Sequence, residues 1–408
     1  MKYVIIGNGI AGIHAAETIR KMDPTGSMAI IAAETFPPYC RPMISMVLEG
    51  NLPESRLRIR PSTFYEKNDI KPYIGHRATT IDVKGQSVTT DHGKRIYYEK
   101  LLIACGADPR PISAEGIHLK NILFMRTQAH VQQMIEALPV VKHALVLGGG
   151  LVGFKAAYGL LRRGVQVTML IASNHPLTMQ VDSIAGKMIR SELESKGLTV
   201  KTGLEVMAFN GNGKVKNALL SDGSTQRCDL CVIGKGVEPV KSFIPTDDIQ
   251  TDWGVTVNPH METSASNVFA AGDIAETMDI VRKTPWVNAI WPEAVHQGRV
   301  AGMNMTGRPV IYRGSLGRNV IRIFDMDIMT AGLVTGEDKK GFEAIQKTDL
   351  KHQLYRKIVF EGDKIVGFIL VNGIEQGGIL TSLIQRQLPV TIRKERLLER
   401  SFNFSSLV

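Results

Sequence analysis

The sequence predicts an α/β protein built around a duplicated strand–turn–helix unit. Two observations predict it. An apolar strand, a turn with three spaced glycines and a helical run occur at the start of the 408-residue chain and again in its middle. Short apolar runs ending in glycine follow each copy, as expected of buried parallel strands that run into a ligand crevice.

The first copy reads Val4-Ile5-Ile6, then Gly7-Asn8-Gly9-Ile10-Ala11-Gly12, then a helical pattern over 13–22. The second reads Ala144-Leu145-Val146-Leu147, then Gly148-Gly149-Gly150-Leu151-Val152-Gly153, then a helical pattern over 154–163. A further strand follows each, over 27–33 and 165–172. In a GxGxxG turn the first glycine permits the tight turn. The second lets a pyrophosphate approach the backbone, and the third lets helix and strand pack closely. The phosphates then lie at the helix N-terminus, where free N–H groups and the dipole favour anions. The context therefore predicts two Rossmann-like dinucleotide-binding folds. Further strands are predicted over 101–107, 229–236 (with Gly234 inside it) and 267–273, the last ending in Gly272-Asp273 at a sheet edge where ligand contacts gather.

Composition limits the alternatives. Hydrophobic residues make up 44% and charged residues 22%, the mix of a soluble globular protein. At roughly 100–200 residues per domain the length suggests two to four domains. There is no run of about 18 apolar residues, so no membrane span is expected. The N-terminus, Met1 to Gly7, already reads as the first nucleotide-binding strand, so no cleaved leader is expected either. Four cysteines are too few for a disulfide framework, and a cytoplasmic location is expected. The net charge of +10 favours anionic ligands and acidic partners. No basic run or aromatic-basic module appears, so nucleic acid is not an expected partner. The ten histidines show no close ligand spacing, and no metal is expected. Cys228 and Cys231 form a CxxC that enters a predicted strand, where residues three apart point to opposite faces.

Taken together these segments resemble the pyridine-nucleotide-dependent flavoprotein oxidoreductases. The matching motifs are Gly7 to Gly12 for FAD, Ala104-Cys105-Gly106 for the "ATG" strand, Gly148 to Gly153 for NAD(H) or NADP(H), and Gly272-Asp273 for the strand at the flavin ribityl chain. Pro38-Tyr39-Cys40-Arg41-Pro42-Met43-Ile44-Ser45 is similar to a "PYxRPxLS" segment, and the stretch from Trp291-Pro292-Glu293 to Gln297-Gly298-Arg299 to a "WPxAxxQGR" helix. Both mark the branch of NADH:rubredoxin reductases, ferredoxin reductases and the flavin part of nitrite reductase. The resemblance implies two Rossmann-like domains, one for FAD and one for NAD(P), with a small α+β C-terminal domain. The implied boundaries are 1–110 with 240–312 for FAD, 111–239 for NAD(P)H and 313–408 for the C-terminal domain.

The candidate site follows. The first fingerprint would hold FAD through Gly7, Gly9, Ile10, Ala11 and Gly12, and Glu34 closes the next strand where the ribose hydroxyls would sit. The resemblance adds Arg41, Pro42, Ala78, Ala104, Cys105, Gly106, Gly272 and Asp273. The second fingerprint would hold the nicotinamide nucleotide through Gly148, Gly150, Leu151, Val152, Gly153 and Gly234. Residues 170–175 offer it neither an acid for the ribose of NAD nor an arginine for a 2′-phosphate. Trp291, Pro292 and Glu293 open a helix whose N-terminus the resemblance aims at the flavin, with Pro292 expected at the first helical position. Lys155 stands where many relatives carry a flavin-facing glutamate, and Met46 where they carry its lysine partner. Lys155 and Cys40 are the candidate catalytic residues. Cys40 matches the position of a redox cysteine in coenzyme A-disulfide reductases and NADH oxidases, and its neighbour Arg41 would favour a thiolate.

The expected function is an FAD-dependent NAD(P)H oxidoreductase. It would exchange electrons with an acidic iron–sulfur carrier of rubredoxin or ferredoxin type. Two alternatives stand beside it: a flavin-bearing subunit of a larger redox complex with a degenerate nucleotide site, and a Cys40-dependent reductase or oxidase. A homodimer is a further possible assembly.

Overall fold

The structure, a computed structural model, describes residues 1–335 and 340–407. The chain divides into two compact units. One comprises Met1–Ile44, Pro53–Asp108 and Val237–Ser315; the other comprises Ser45–Leu52, Pro109–Gly236 and Leu316–Val408.

The first unit is built on a five-stranded parallel sheet. Its spatial order is Val268–Ala270, Lys100–Ile103, Tyr3–Ile6, Met28–Ala32 and Ile70–Ile74. Tyr3–Ile6 and Met28–Ala32 are buried at every residue, which explains why they read as unbroken apolar runs. The sheet turns back at Tyr3–Ile6: the chain proceeds to one side through Met28–Ala32 and returns on the other at Lys100–Ile103. A crevice at the strand C-termini is expected at such a reversal. Helix Ile10–Met22 starts inside the glycine turn rather than after it, because the residues from Ile10 onward already have helical geometry. It packs on helix Trp291–Met305 through small residues. A Cβ at Gly298 would strike the Ala11 carbonyl, and one at Gly302 would reach Ala15 O at 2.8 Å. Asp23, just beyond the first helix, accepts from Lys2 Nζ (2.7 Å), Tyr3 Oη (2.9 Å) and the Gly26 N–H (2.9 Å), which ties the turn to the first strand.

The second unit repeats the plan. Its parallel order is Thr199–Thr202, Gln166–Ile171, His143–Leu147, Leu230–Ile233 and Ile122–Phe124. The two sheets differ in the source of one edge strand. Val268–Ala270 comes after the rest of its sheet in the chain, whereas Ile122–Phe124 comes before it. The unit also holds an antiparallel sheet in the order Arg318–Ile323, Met326–Gly332, Lys364–Val371, Leu354–Glu361 and Phe342–Asp349. Helix Gly377–Gln385 covers it with Leu380, Leu383 and Ile384. Buried Lys357 pairs with Asp182 at 3.2 Å, and Tyr355 Oη donates to the same carboxylate at 2.6 Å. Asp182 also caps helix Ser183–Ser195 through the Ala185 N–H. No helix among the described residues is long and apolar enough to cross a membrane.

Candidate functional site

The two fingerprints adopt the same local structure. Gly7 (φ 121°) and Gly148 (φ 106°) lie in the left-handed half of backbone space, which side chains avoid. At each, a Cβ would also strike a neighbouring chain: the Ala104 carbonyl at Gly7 and the Gly234 carbonyl at Gly148. A Cβ at Gly12 would strike Gly7 O, and one at Gly153 would strike Gly148 O. The first and third glycines are therefore required by the protein itself. The second is not. Gly9 and Gly150 have ordinary extended backbone, and a Cβ on either would meet nothing within 4 Å among the described residues. Each is the N-cap of its helix and supplies no side-chain acceptor, and neither helix has an acid in its first turn. Ile10 and Ala11 form the first turn of one helix, Leu151 and Val152 that of the other. Folding gives no reason for glycine at these two positions, whereas a phosphate held against bare N–H groups does. Both fingerprints thus fit a dinucleotide.

Around the first fingerprint, Glu34 is gripped through both oxygens. Arg41 Nη2 donates to Oε1 at 2.6 Å and Tyr39 Oη to Oε2 at 2.7 Å. The Arg41 guanidinium also lies 5.0 Å from the Tyr39 ring centroid. Burial works against its charge, but Tyr39, Glu34 and Asp273 outweigh that and raise its pKa above the usual value. Arg41 and Asp273, more than two hundred residues apart, are therefore brought into one electrostatic group. Tyr39 belongs to the same group, and only its place in the motif signals it in the sequence. Pro42 lies in the short 3-10 turn Arg41–Met43.

Cys40 caps that turn, and its N–H donates to Leu57 O at 2.8 Å. Arg41, next to Cys40 in sequence, directs its guanidinium to Glu34 and lies over the Tyr39 ring. Cys105 donates its thiol to Val240 O at 3.6 Å, and burial pushes its pKa up to about 12. Ala104 and Gly106 flank it, Ala104 buried beside Gly7 and Gly106 at φ 76°. Ala78 is buried at the start of strand Ala78–Asp82 in a small antiparallel sheet of the same unit.

Gly272 (φ 83°) donates its N–H to Gln297 Oε1 at 2.8 Å, which fixes the Gly272-Asp273 turn to the Trp291 helix. That helix begins at Trp291, so Pro292 occupies the second helical position, one later than expected. Proline has no N–H to donate, and none is needed there, because the first four N–H groups of a helix have no intrahelical partner. Trp291 is half-buried and Pro292 exposed. Glu293 is 4% exposed and accepts from Tyr312 Oη at 2.5 Å. Burial, then the Glu293 charge, drives the Tyr312 pKa far up. Gln297 and Tyr312 were not singled out in the sequence. Gln297 lies in the quoted helix motif, but nothing local marks Tyr312.

In the second unit, Gly153 and Gly234 approach each other so closely that a Cβ on Gly234 would lie 2.6 Å from Gly153 Cα. Leu177, in a left-handed conformation (φ 57°), donates its N–H to Gly149 O at 2.7 Å, so the loop after strand Gln166–Ile171 folds back onto the glycine turn. Ser173 Oγ donates to His175 O at 3.0 Å, and no carboxylate stands in 170–175. Lys155 lies on helix Leu151–Arg162. The short helix Ile44–Glu49 packs near it: Arg163 Nε donates to Leu48 O at 2.7 Å, and a Cβ on Gly159 would meet Leu48 Cγ at 3.0 Å. Burial raises the Glu49 pKa, against the opposing pull of an Asn51 hydrogen bond and then of Lys155 and Arg162. Lys155 and Glu49 are thus close enough to interact electrostatically.

The CxxC reading needs correction. Cys228 precedes strand Leu230–Ile233 rather than lying in it, so strand alternation does not separate it from Cys231. Both thiols sit in one apolar cluster with Leu147, Phe209 and Ile233. Burial raises the Cys228 pKa to about 12 and that of Cys231 well above its usual value. They are inert core residues.

Comparison with known proteins agrees with this geometry. Residues 1–298 match the model for pyridine nucleotide-disulphide oxidoreductases, and residues 318–388 the model for the rubredoxin NAD+ reductase C-terminal domain. The chain is 28% identical to an assimilatory nitrate reductase electron transfer subunit of Bacillus subtilis, over 98% of this chain and 51% of that protein. It is 30% identical to the NADH-dependent phenylglyoxylate dehydrogenase subunit epsilon of Aromatoleum evansii, over 97% of this chain and 94% of the other. The chain spans about half the length of some curated relatives it matches. Its fold is shared with the reductase of a covalent putidaredoxin reductase–putidaredoxin complex, with a TM-score of 0.88 at 23% identity over 95% of this chain and 94% of that one. With a family model covering residues 1–298 and both glycine turns in place, the chain belongs to the pyridine nucleotide-disulphide oxidoreductase family.

Proposed function

We propose that this chain is an FAD-dependent NAD(P)H oxidoreductase that exchanges electrons with a small iron–sulfur protein. The observation that carries the reading is the pair of bare glycine N-caps, Gly9 and Gly150, each on its own Rossmann-like sheet. Two such sites in one chain suit two dinucleotides, and family membership makes them FAD and a nicotinamide nucleotide. Bound FAD would supply the redox chemistry, taking a hydride equivalent and passing electrons on.

The chain's own residues bind, orient and polarise. Gly7, Gly9, Ile10, Ala11 and Gly12 would take the FAD pyrophosphate, with Glu34, Arg41, Pro42, Ala78, Ala104, Cys105, Gly106, Gly272 and Asp273 completing the cradle. Arg41 holds Glu34 in place for a ribose hydroxyl, since each carboxylate oxygen can still accept a second hydrogen bond. Gln297 fixes the Gly272 turn beside Asp273. Trp291, Pro292 and Glu293 present a helix N-terminus, whose partial positive charge stabilises negative charge placed before it. Gly148, Gly150, Leu151, Val152, Gly153 and Gly234 would take the nicotinamide nucleotide, and Lys155 would polarise the reacting pair. In the same reading the FAD domain is 1–110 with 240–312, the NAD(P) domain 111–239 and the C-terminal domain 313–408. The +10 charge suits an acidic partner.

A second reading has a specific observation behind it. The Aromatoleum relative, matched over nearly its whole length, is a subunit by name, and residues 170–175 lack the ribose acid. A flavin-bearing subunit of a larger complex would look the same. The test is NADH-driven reduction of an added acidic ferredoxin or rubredoxin at rising salt. The enzyme reading expects turnover that falls as salt screens the charges. No turnover at any salt, with a flavin that dithionite reduces and neither nucleotide does, would favour the subunit reading.

A further inference from the structure

The small antiparallel sheet of the first unit (Ala78–Asp82, Ser87–Thr90 and Arg95–Tyr97) carries at one end a group of side chains that the proposed function does not use. His76 lies just before its first strand, and Asp91 and His92 just after its second. Antiparallel pairing of Ala78 with Thr90 brings the three together from sixteen residues apart. The backbone under them is fixed on both sides. Asp91 N–H donates to Arg77 O at 2.9 Å, Arg77 N–H donates to Asp91 Oδ1 at 2.9 Å, and His76 N–H donates to Ala32 O at 2.9 Å. The His76 ring stands edge-on to Tyr73 at 5.8 Å and lies 4.3 Å from the His92 ring, tilted by 53°. His92 Nδ1 is 3.0 Å from Asp91 Oδ1. The Arg77 N–H, then His92 and His76, hold the Asp91 carboxyl below its usual range.

We propose that His76, Asp91 and His92 form a binding site for a divalent transition cation of the zinc type. One nitrogen of each imidazole and one carboxylate oxygen all lie within 4.8 Å of one another. In a tetrahedral zinc site with bonds of about 2.0–2.2 Å, ligand atoms lie roughly 3.3 Å apart. Small side-chain rotations close that difference, and the His92 and Asp91 side chains, 60% and 43% exposed, have room to make them. Two imidazoles and a carboxylate select zinc, nickel or copper over magnesium and calcium, which want oxygen alone. Three protein ligands on an exposed sheet end leave the fourth position to water. The bound ion would tie the chain after strand Ile70–Ile74 to the turn at 91–93.

The test uses the purified full chain, chelator-treated and desalted, titrated with zinc chloride in a calorimeter. The proposal expects one saturable site per chain. His76→Ala and His92→Ala should each weaken zinc binding by at least about tenfold. Asp91→Asn, which keeps an acceptor for the Arg77 N–H, should weaken it too. Metal-free melting of each variant is measured alongside. Should a variant melt early, cobalt absorption on the unaltered chain decides, because intense visible bands are expected of a four-coordinate site with nitrogen ligands. No saturable binding by the wild type would overturn the proposal, as would equal affinity in the well-folded His76→Ala/His92→Ala double variant, or a cobalt spectrum identical to that of the aqueous ion.

Discussion

At Gly12 a Cβ would strike the Gly7 carbonyl, and at Gly9 it would meet nothing within 4 Å. The two substitutions should therefore separate folding from binding. Gly9→Val is expected to leave a folded, colourless protein that melts close to the FAD-free wild type. Gly12→Val should cost about 1–3 kcal/mol of stability or more, because rigid backbone cannot yield. Absorbance and thermal melting check both, and a yellow Gly9→Val protein would contradict the reading of the N-cap. Cys40→Ser should leave electron transfer largely intact, because the segment around it resembles that of the rubredoxin-reductase branch rather than that of the thiol-using reductases. Reductive titration should then consume about two electrons per FAD and show no thiol couple; a need for about four, with activity lost in the variant, would restore the thiol alternative. Lys155→Ala should slow flavin reduction by about tenfold, or about 1.4 kcal/mol of barrier, with a smaller effect on nucleotide affinity. Stopped-flow rates against nucleotide concentration separate the two.

The elements were legible where a local rule dictates them. The buried strands Tyr3–Ile6 and His143–Leu147 show as apolar runs, and the glycine spacing marks the turns that follow them. Edge strand Ile122–Phe124 was not legible: it is three residues long, half-buried, and placed by topology rather than by its own pattern. Side-chain pairings distant in sequence were likewise hidden. Tyr312 with Glu293, Glu49 near Lys155, and His76 with Asp91 and His92 have no local spacing to announce them. The structure also shows where an acid for the ribose could be introduced. Ile171 is 2% exposed and packs against Gly149, so a glutamate there would be buried, whereas Ser173 lies just beyond the strand. Discrimination between NADH and NADPH should be about tenfold or less in the wild type. Ser173→Glu should shift it towards NADH by accepting ribose hydroxyls, an interaction typically worth about 1–3 kcal/mol. Steady-state kcat/KM for each nucleotide reads the shift. At the first helix end, Lys2, then Tyr3, hold the Asp23 carboxyl down at about 2. The folded pKa is depressed, so this stabilisation is present above the unfolded value near 3.9 and is lost as pH falls through about 2. Asp23→Asn should cost about 1 kcal/mol near neutrality, since Lys2 is partly exposed and the pair screened, and the difference should shrink below pH 4 in urea melts.

For the molecule as a whole, the duplication was readable because the same physical problem, a dinucleotide at a helix N-terminus, is solved twice with the same residue types. Charge balance pointed to acidic partners but cannot name one, because +10 is a property of the whole surface. Relatives matched over nearly the whole of this chain range from one of nearly the same length to proteins about twice as long, and two of them are subunits by name. What distinguishes those roles is whether the second fingerprint still delivers reducing equivalents to the flavin. The direct measurement is anaerobic stopped-flow mixing of the FAD-loaded chain with NADH and, separately, NADPH, followed at the flavin absorption band. Both are expected to bleach the band to completion at about one nucleotide per chain, at rates within about tenfold of each other. A band that dithionite bleaches and neither nucleotide touches would contradict this, and would make the second Rossmann-like domain a relic in a flavin-bearing subunit.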